Sequence, residues 1–322
     1  MGPIEADGPG GVTGSAGHVP VLVREVLDLL QPARGGIFLD CTVGAGGHAA
    51  AILDAGGEDV QVIGVDRDPE MLAVAASRLA AYGARARLVH DDFRSLLSDP
   101  PTAFPSTFDG ILFDLGVSSI QLGDPARGFG FAHEGPLDMR MDRRGGGETA
   151  QDMIARLSEA ALADLLWRFG EERFARQIAR RVVAERLRRP IETTRQLAEL
   201  VARTIPRRVW PRRIHPATRT FQGLRIAVND ELVGLEEVLE RAAHRLAPEG
   251  RLCVIAFHSL EDRPVKQVLR RLTRQAGTPV TFRPLTKKPI RPSTMETHRN
   301  PRARSAKLRA IVRVAGGIGC AA

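Results

Sequence analysis

The sequence predicts an α/β protein with a Rossmann-like, doubly wound sheet interrupted by an all-helical insertion. Three observations carry that expectation. Before Leu115, short apolar runs alternate with helical patterns, the signature of a parallel sheet with crossover helices. The first such run opens into a loop holding Gly44, Gly46 and Gly47. After Leu115 the alternation stops, and a strand pattern returns only at Arg251–Phe257.

The elements follow in order. Val19 to Leu30 carries apolar residues at helical spacing and reads as a first helix laid on the sheet. Strands are expected at Ile37–Cys41, Val60–Asp66, Ala86–His90 and Phe108–Leu115, with helical patterns before and after Asp66. Gly116 to Gly147 is glycine-rich and polar. Gln151 to Phe169 is amphipathic and stops at Gly170, and Glu171 to Arg189 ends at Pro190. A third helix opens with a capping box, Thr193 with Gln196, and a long helix starts near Ala217. The expected division is a tail over 1–17, a sheet domain over 18–126 and 222–322, and a helical insertion over 127–221 for substrate recognition.

The stretch I-F-L-D-C-T-V-G-A-G-G-H-A from Ile37 joins a strand ending in Asp40 to a helix through a tight glycine turn. Asp66 ends the next strand about 20 residues later, the distance at which such an acid reaches a ribose hydroxyl. Glycines let the backbone approach a ligand, and the helix start offers free N–H groups. The combination reads as an adenosine-cofactor site. A dinucleotide turn wants a third glycine for helix packing, and His48 stands near that point. The residues therefore favour S-adenosylmethionine over a nicotinamide dinucleotide, with a ligand-free glycine turn as the remaining alternative.

Composition narrows the class. A chain of 322 residues, 43% hydrophobic, buries a full core. No apolar stretch is long enough to span a membrane, and the glycine-rich tail Met1–Gly17 lacks a signal-peptide core and is expected to be disordered. Cys41, Cys253 and Cys320 form no C-x-x-C pair, which points to the cytoplasm and away from a zinc site; no metal is expected.

The net charge of +8 is segregated. Arg168 to Arg225 carries 16 Arg against 5 Glu, and Arg263 to Arg313 carries 15 Lys plus Arg against Glu296 alone. The remainder is strongly acidic. Such segregation is the footprint of a phosphate-backbone partner. The segment R-R-V-W-P-R-R-I-H-P contributes Arg207, Arg208, Trp210, Arg212 and Arg213 as candidate RNA contacts, although Trp210 would equally pin the loop to the core.

The fourth strand and its loop read F-D-G-I-L-F-D-L-G-V-S-S-I-Q-L, with Asp114 at the tip. An acid followed by a tight turn at this place suits an amino methyltransferase. An exocyclic amine has its lone pair delocalised into the ring, and acceptors binding its N–H groups restore density to nitrogen and align it. Asp114 is the candidate catalytic residue; an aspartate capping the next turn would look the same.

These stretches, with H-V-P-V-L from His18, R-G-F-G-F-A-H-E-G-P-L-D-M-R-M-D from Arg127, G-E-E-R-F-A from Gly170, H-P-A-T-R-T-F-Q from His215, F-H-S-L-E-D-R from Phe257 and N-P-R-A-R-S-A-K-L-R from Asn300, resemble the MraW family. These are the ribosomal RNA small subunit methyltransferase H enzymes, 16S rRNA (cytosine-N4)-methyltransferases. The resemblance implies methylation of N4 of cytidine 1402 in the decoding centre of the small ribosomal subunit. It also implies donor binding at Gly46, Gly47, His48, Asp66, Phe93, Asp114 and Gln121. Ile120 departs from a proline common in the family, and Thr273–Thr297 follows no recognisable pattern. No target-base aromatic is evident; Phe129, Phe131 and His258 are the candidates. A homodimer is left open. Two rival readings are a small-molecule methyltransferase with a helical lid and a non-catalytic RNA-binding assembly factor on the same scaffold.

Overall fold

A computed structural model describes residues 20–212, 214–275 and 280–314. The expected disorder of 1–17, together with Arg213 and Cys320, lies outside the described residues. A seven-stranded sheet forms the frame: β1 (Gly36–Asp40), β2 (Val60–Asp66), β3 (Ala86–His90), β4 (Phe108–Asp114), β5 (Leu246–Ala256), β6 (Phe282–Pro284) and β7 (Lys307–Arg313), ordered β3-β2-β1-β4-β5-β7-β6. The first five strands pair in parallel, while β7 runs antiparallel to β5 and to β6. The alternation before Leu115 correctly announced the parallel half. The antiparallel strands were not expected: β6 is three residues long and lies in the stretch without a pattern, and the seven-residue β7 lies beyond it.

Helices α1 (Val23–Leu30), α2 (Gly47–Gly56), α3 (Pro69–Leu79) and α4 (Phe93–Ser98) accompany the first strands, and a short α5 (Ser119–Gly123) follows β4. Two apolar clusters flank the sheet. Leu39, Val65, Ile111, Phe113 and Val254 point into one, and Phe38, Val62, Leu112, Cys253 and Ile255 into the other. This alternation along each strand is the period-2 pattern of a sheet covered on both faces.

Between β4 and β5 the chain builds a third apolar cluster of its own from α6 (Ala150–Arg156), α7 (Glu159–Gly170), α8 (Ala175–Arg186), α9 (Thr194–Thr204) and α10 (Thr218–Val228). Two expected helices are divided. Gln151–Phe169 breaks at Leu157–Ser158, where Ser158 caps the N-terminus of α7. The long helix from Ala217 stops at Val228, and α11 (Leu235–His244) begins after Gly234, whose left-handed φ of 67° ends the turn between them. Leu224 belongs to the helical cluster and Val228 packs against it, so this core continues past Phe221. Thr193 and Gln196 form the reciprocal capping box. After β5 come α12 (Ser259–Leu272) and, between β6 and β7, α13 (Thr294–Arg299).

Candidate active site

In a sheet of this order the connection reverses between β1 and β4, and ligands bind in the crevice beyond the carboxyl ends of those strands. Three strands end there in aspartate: Asp40 on β1, Asp66 on β2 and Asp114 on β4. Parallel register brings them together, with Asp40 paired to Gly64 on one side and to Leu112 on the other.

The glycine turn sits over these tips. Gly44 and Gly46 have φ of 51° and 77°, left-handed values that a side chain would strain. Gly46 caps α2, and a Cβ on Gly47, its first residue, would approach Pro20 to 2.9 Å. Asp66 organises the turn, its two oxygens accepting the N–H of Gly44 at 2.8 Å and of Asp68 at 2.9 Å. Thr42 Oγ1 accepts the N–H of Asp114 at 2.6 Å, while the Asp40 carboxylate accepts the N–H of Thr42.

His48, on the first turn of α2, is 6% exposed, with Nε2 at 3.5 Å from Asp114 Oδ2. Burial opposes its protonation, but the neighbouring carboxylates of Asp114 and Asp40 prevail and raise its pKa. Burial also pushes Asp40 up to about 7, against the opposing pull of His48. Asp66 is pushed up to about 6 by burial, against its two backbone bonds. Asp114 Oδ1, buried at this crevice, has no hydrogen-bond partner, while His48 Nε2 has only the Asp114 carboxylate, at 3.5 Å. Buried polar atoms are almost always paired, so Asp114 Oδ1 marks where a ligand's polar group belongs.

The remaining expected residues fall into two sets. Phe93 lies at the start of α4, edge-on to Phe113 with ring centroids 5.4 Å apart, beside the crevice. Gln121 is 5% exposed and turned inward: its Oε1 accepts the Ser118 N–H at 2.8 Å and its Nε2 donates to Asp68 at 2.6 Å. Its amide therefore holds the turn after Asp114.

His258 lies just after the end of β5. It caps α12, with Nδ1 accepting the Glu261 N–H at 3.3 Å and Nε2 facing Glu261 Oε1 at 3.1 Å. With Nδ1 as acceptor, Nε2 carries the hydrogen, and both ring nitrogens are engaged. Among the described residues, Glu231, His258 and Glu261 bring ligand atoms within 4.8 Å of one another, but the Arg225 guanidinium bonds both oxygens of Glu231 there and supplies the positive charge.

Arg207, Arg208 and Arg212 are exposed, as expected for RNA contacts. Trp210 is not a free platform. Its indole N–H donates to the Ile205 carbonyl at 2.8 Å, and Arg207 stands 5.8 Å from its ring centroid. The exposed tryptophan is Trp167 on α7, 60% exposed. Phe129 is buried in the helical core, and Phe131 is wedged against His215 and Phe221 at 4.8 and 4.7 Å. Sequence reading gave no role to Asp40, whose position at a strand end was visible, or to Asp68. The latter had a signal, since an aspartate directly before proline is a common helix start.

The sequence model of the MraW methylase family matches residues 15–314. The chain belongs to the MraW methylase family. Relatives named ribosomal RNA small subunit methyltransferase H include those of Syntrophobacter fumaroxidans, 49% identical over 91% of this chain and 95% of that protein, and Thermomicrobium roseum, 50% identical over 94% and 95%. That of Sorangium cellulosum is 50% identical over 93% and 91%. This MraW-family chain is a methyltransferase, and its methyl donor is S-adenosylmethionine. The crevice fits that donor chemically: a cationic sulfonium and ammonium suit three carboxylates, and a ribose diol suits an acid at the end of β2. No helix among the described residues is long and apolar enough to cross a membrane.

Proposed function

We propose that the protein methylates the exocyclic N4 of cytidine 1402 in 16S rRNA, acting on the small ribosomal subunit. The donor supplies an electrophilic methyl group on a sulfonium, so the residues have to hold, desolvate and align. Asp66 accepts the ribose hydroxyls, the Gly46–Gly47 turn and His48 meet the amino-acid end, and Phe93 packs on the adenine. Gln121 holds the turn that closes over the donor.

The observation that carries the reading is Asp114 Oδ1, a buried acceptor without a partner at the tip of β4. A carboxylate oxygen there accepts an N–H of the cytosine amine and returns density to its nitrogen. The base must leave its stack to reach such a crevice. Positively charged side chains outside the crevice support an RNA substrate: Arg207, Arg208 and Arg212, and on α8 Arg176 and Arg181, are exposed. The relatives' shared name agrees with a small-subunit substrate.

Transfer of labelled methyl to small subunits lacking the modification, followed by nucleoside analysis, tests this directly. N4-methylcytidine at position 1402 is expected. A 5-methylcytidine product would overturn the amine chemistry, because attack at carbon 5 needs a thiolate partner. Cys41 and Cys253 are buried, and burial pushes both thiols well above their ordinary range.

A further inference from the structure

The donor crevice and the helical cluster meet at one buried ion pair. Asp68 lies two residues after Asp66, and Arg127 opens the segment that leads from the sheet into the helices. Each side chain is 1% exposed, and Arg127 Nη2 donates to Asp68 Oδ2 at 2.7 Å. Asp68 serves three elements at once. Its N–H donates to Asp66, its Oδ1 accepts the N–H groups of Glu70 and Met71 to cap α3, and its Oδ2 also accepts Gln121 Nε2 at 2.6 Å. Arg127 donates as well to Glu70 Oε2 at 3.2 Å and to the carbonyls of Arg140 and Met141 at 3.0 and 2.8 Å. Met141 in turn donates its N–H to buried Asn229 at the end of α10.

We propose that Asp68 and Arg127 are positioning residues for methyl transfer, setting the ribose acid Asp66 and the Asp114–Gln121 turn in fixed relation. This rests on the reading that Asp66 and that turn hold the donor and the acceptor amine. Cohesion alone does not account for the pair. A buried ion pair is commonly no more stabilising than apolar residues of equal volume, and here Arg127 Nε remains buried without a partner. What an apolar pair lacks is direction. The planar guanidinium fork fixes the strap at Arg140–Met141 against Asp68, and Asp68 passes that alignment to Asp66 through its backbone and to the turn through Gln121.

The test uses the full chain with two variants. Asp68→Asn/Arg127→Met removes both charges together while Asn retains the cap on α3. Arg127→Lys keeps the charge but cannot serve a carboxylate, Glu70 and two carbonyls at once. Each is characterised by melting temperature, by calorimetry with S-adenosylmethionine, and by single-turnover transfer to unmethylated small subunits at saturating donor and subunit. Donor affinity and saturated rate are each expected to fall about tenfold or more in the double variant and about threefold to tenfold in Arg127→Lys. A folded variant that melts lower yet keeps both quantities within about twofold of wild type would overturn the proposal, since pure packing moves only stability. If the double variant does not fold, Arg127→Lys decides by the same criterion. Donor affinity is read without RNA, so a failure here is distinct from an error about which nucleotide is methylated.

Discussion

Donor affinity should depend on pH through Asp66, and the structure sets the size of the effect. Burial holds this carboxyl at about 6, well above the ordinary 3.8. Ribose hydroxyls donate to an ionised carboxylate, so binding requires the proton to leave. For one group of this pKa the affinity is divided by one plus the ratio of protonated to ionised forms. At pH 8 that correction is negligible, and at pH 5 it is about elevenfold, or roughly 1.4 kcal/mol. At pH 5.5 the wild-type protein should release about 0.8 proton more per donor bound than Asp66→Asn, from the fraction of Asp66 still protonated in the free protein. Asp66→Asn cannot titrate. It keeps one oxygen for a backbone N–H or a hydroxyl, and it loses a charge-assisted contact worth about 1.5–3 kcal/mol, or roughly 10- to 150-fold in affinity at pH 8. The ratio of wild-type to Asp66→Asn affinity, followed from pH 5 to pH 8, isolates this residue, because the donor's own titration and that of Asp40 cancel. That ratio should climb about tenfold. A ratio that stays flat across the range would show that Asp66 is not in contact with the donor.

Other consequences are more direct. Asp40 keeps its proton to about pH 7 in the folded chain, whereas an ordinary carboxyl loses it near 3.8. Its contribution to stability is therefore full below pH 3.8 and lost as pH rises through 7, a swing of up to roughly 4 kcal/mol. Asp40→Asn should flatten the melting-temperature profile between pH 5 and pH 8, and an unchanged profile would count against the assignment. Asp114→Ala should lose far more single-turnover rate than RNA binding; if charge beside the sulfonium matters, Asp114→Asn will be nearly as damaged, and wild-type rates in both would place the reacting centre elsewhere. Reversing Arg207, Arg208 and Arg212 to Glu should reduce the salt slope of small-subunit binding by about 2–3, while an unaltered salt titration would remove this loop from the interface. Trp210→Leu should cost at least about 1 kcal/mol of stability through the lost indole bond to Ile205 and leave RNA affinity close to wild type, whereas a large affinity loss in the folded variant would restore the stacking role.

The sequence by itself determined the elements whose causes are local. Alternating apolar runs announce β1 to β4, glycines announce a turn that must run left-handed, and the Thr193–Gln196 spacing announces a cap, because each depends on neighbours within a few residues. The same runs place Asp66 and Asp114 at the ends of their strands, where the structure has them. Tertiary structure alone decided what those side chains meet. Asp40 owes its raised pKa to a desolvation that no pattern of neighbours encodes, and Asp68 finds Arg127 across 59 residues of chain. The partners His258 and Gln121 take were equally illegible in one dimension: His258 caps α12 through Glu261, and Gln121 ties Ser118 to Asp68. Trp210 turned inward for the same reason: a buried polar atom takes the nearest good acceptor, and proximity in a folded chain is set by packing rather than by spacing.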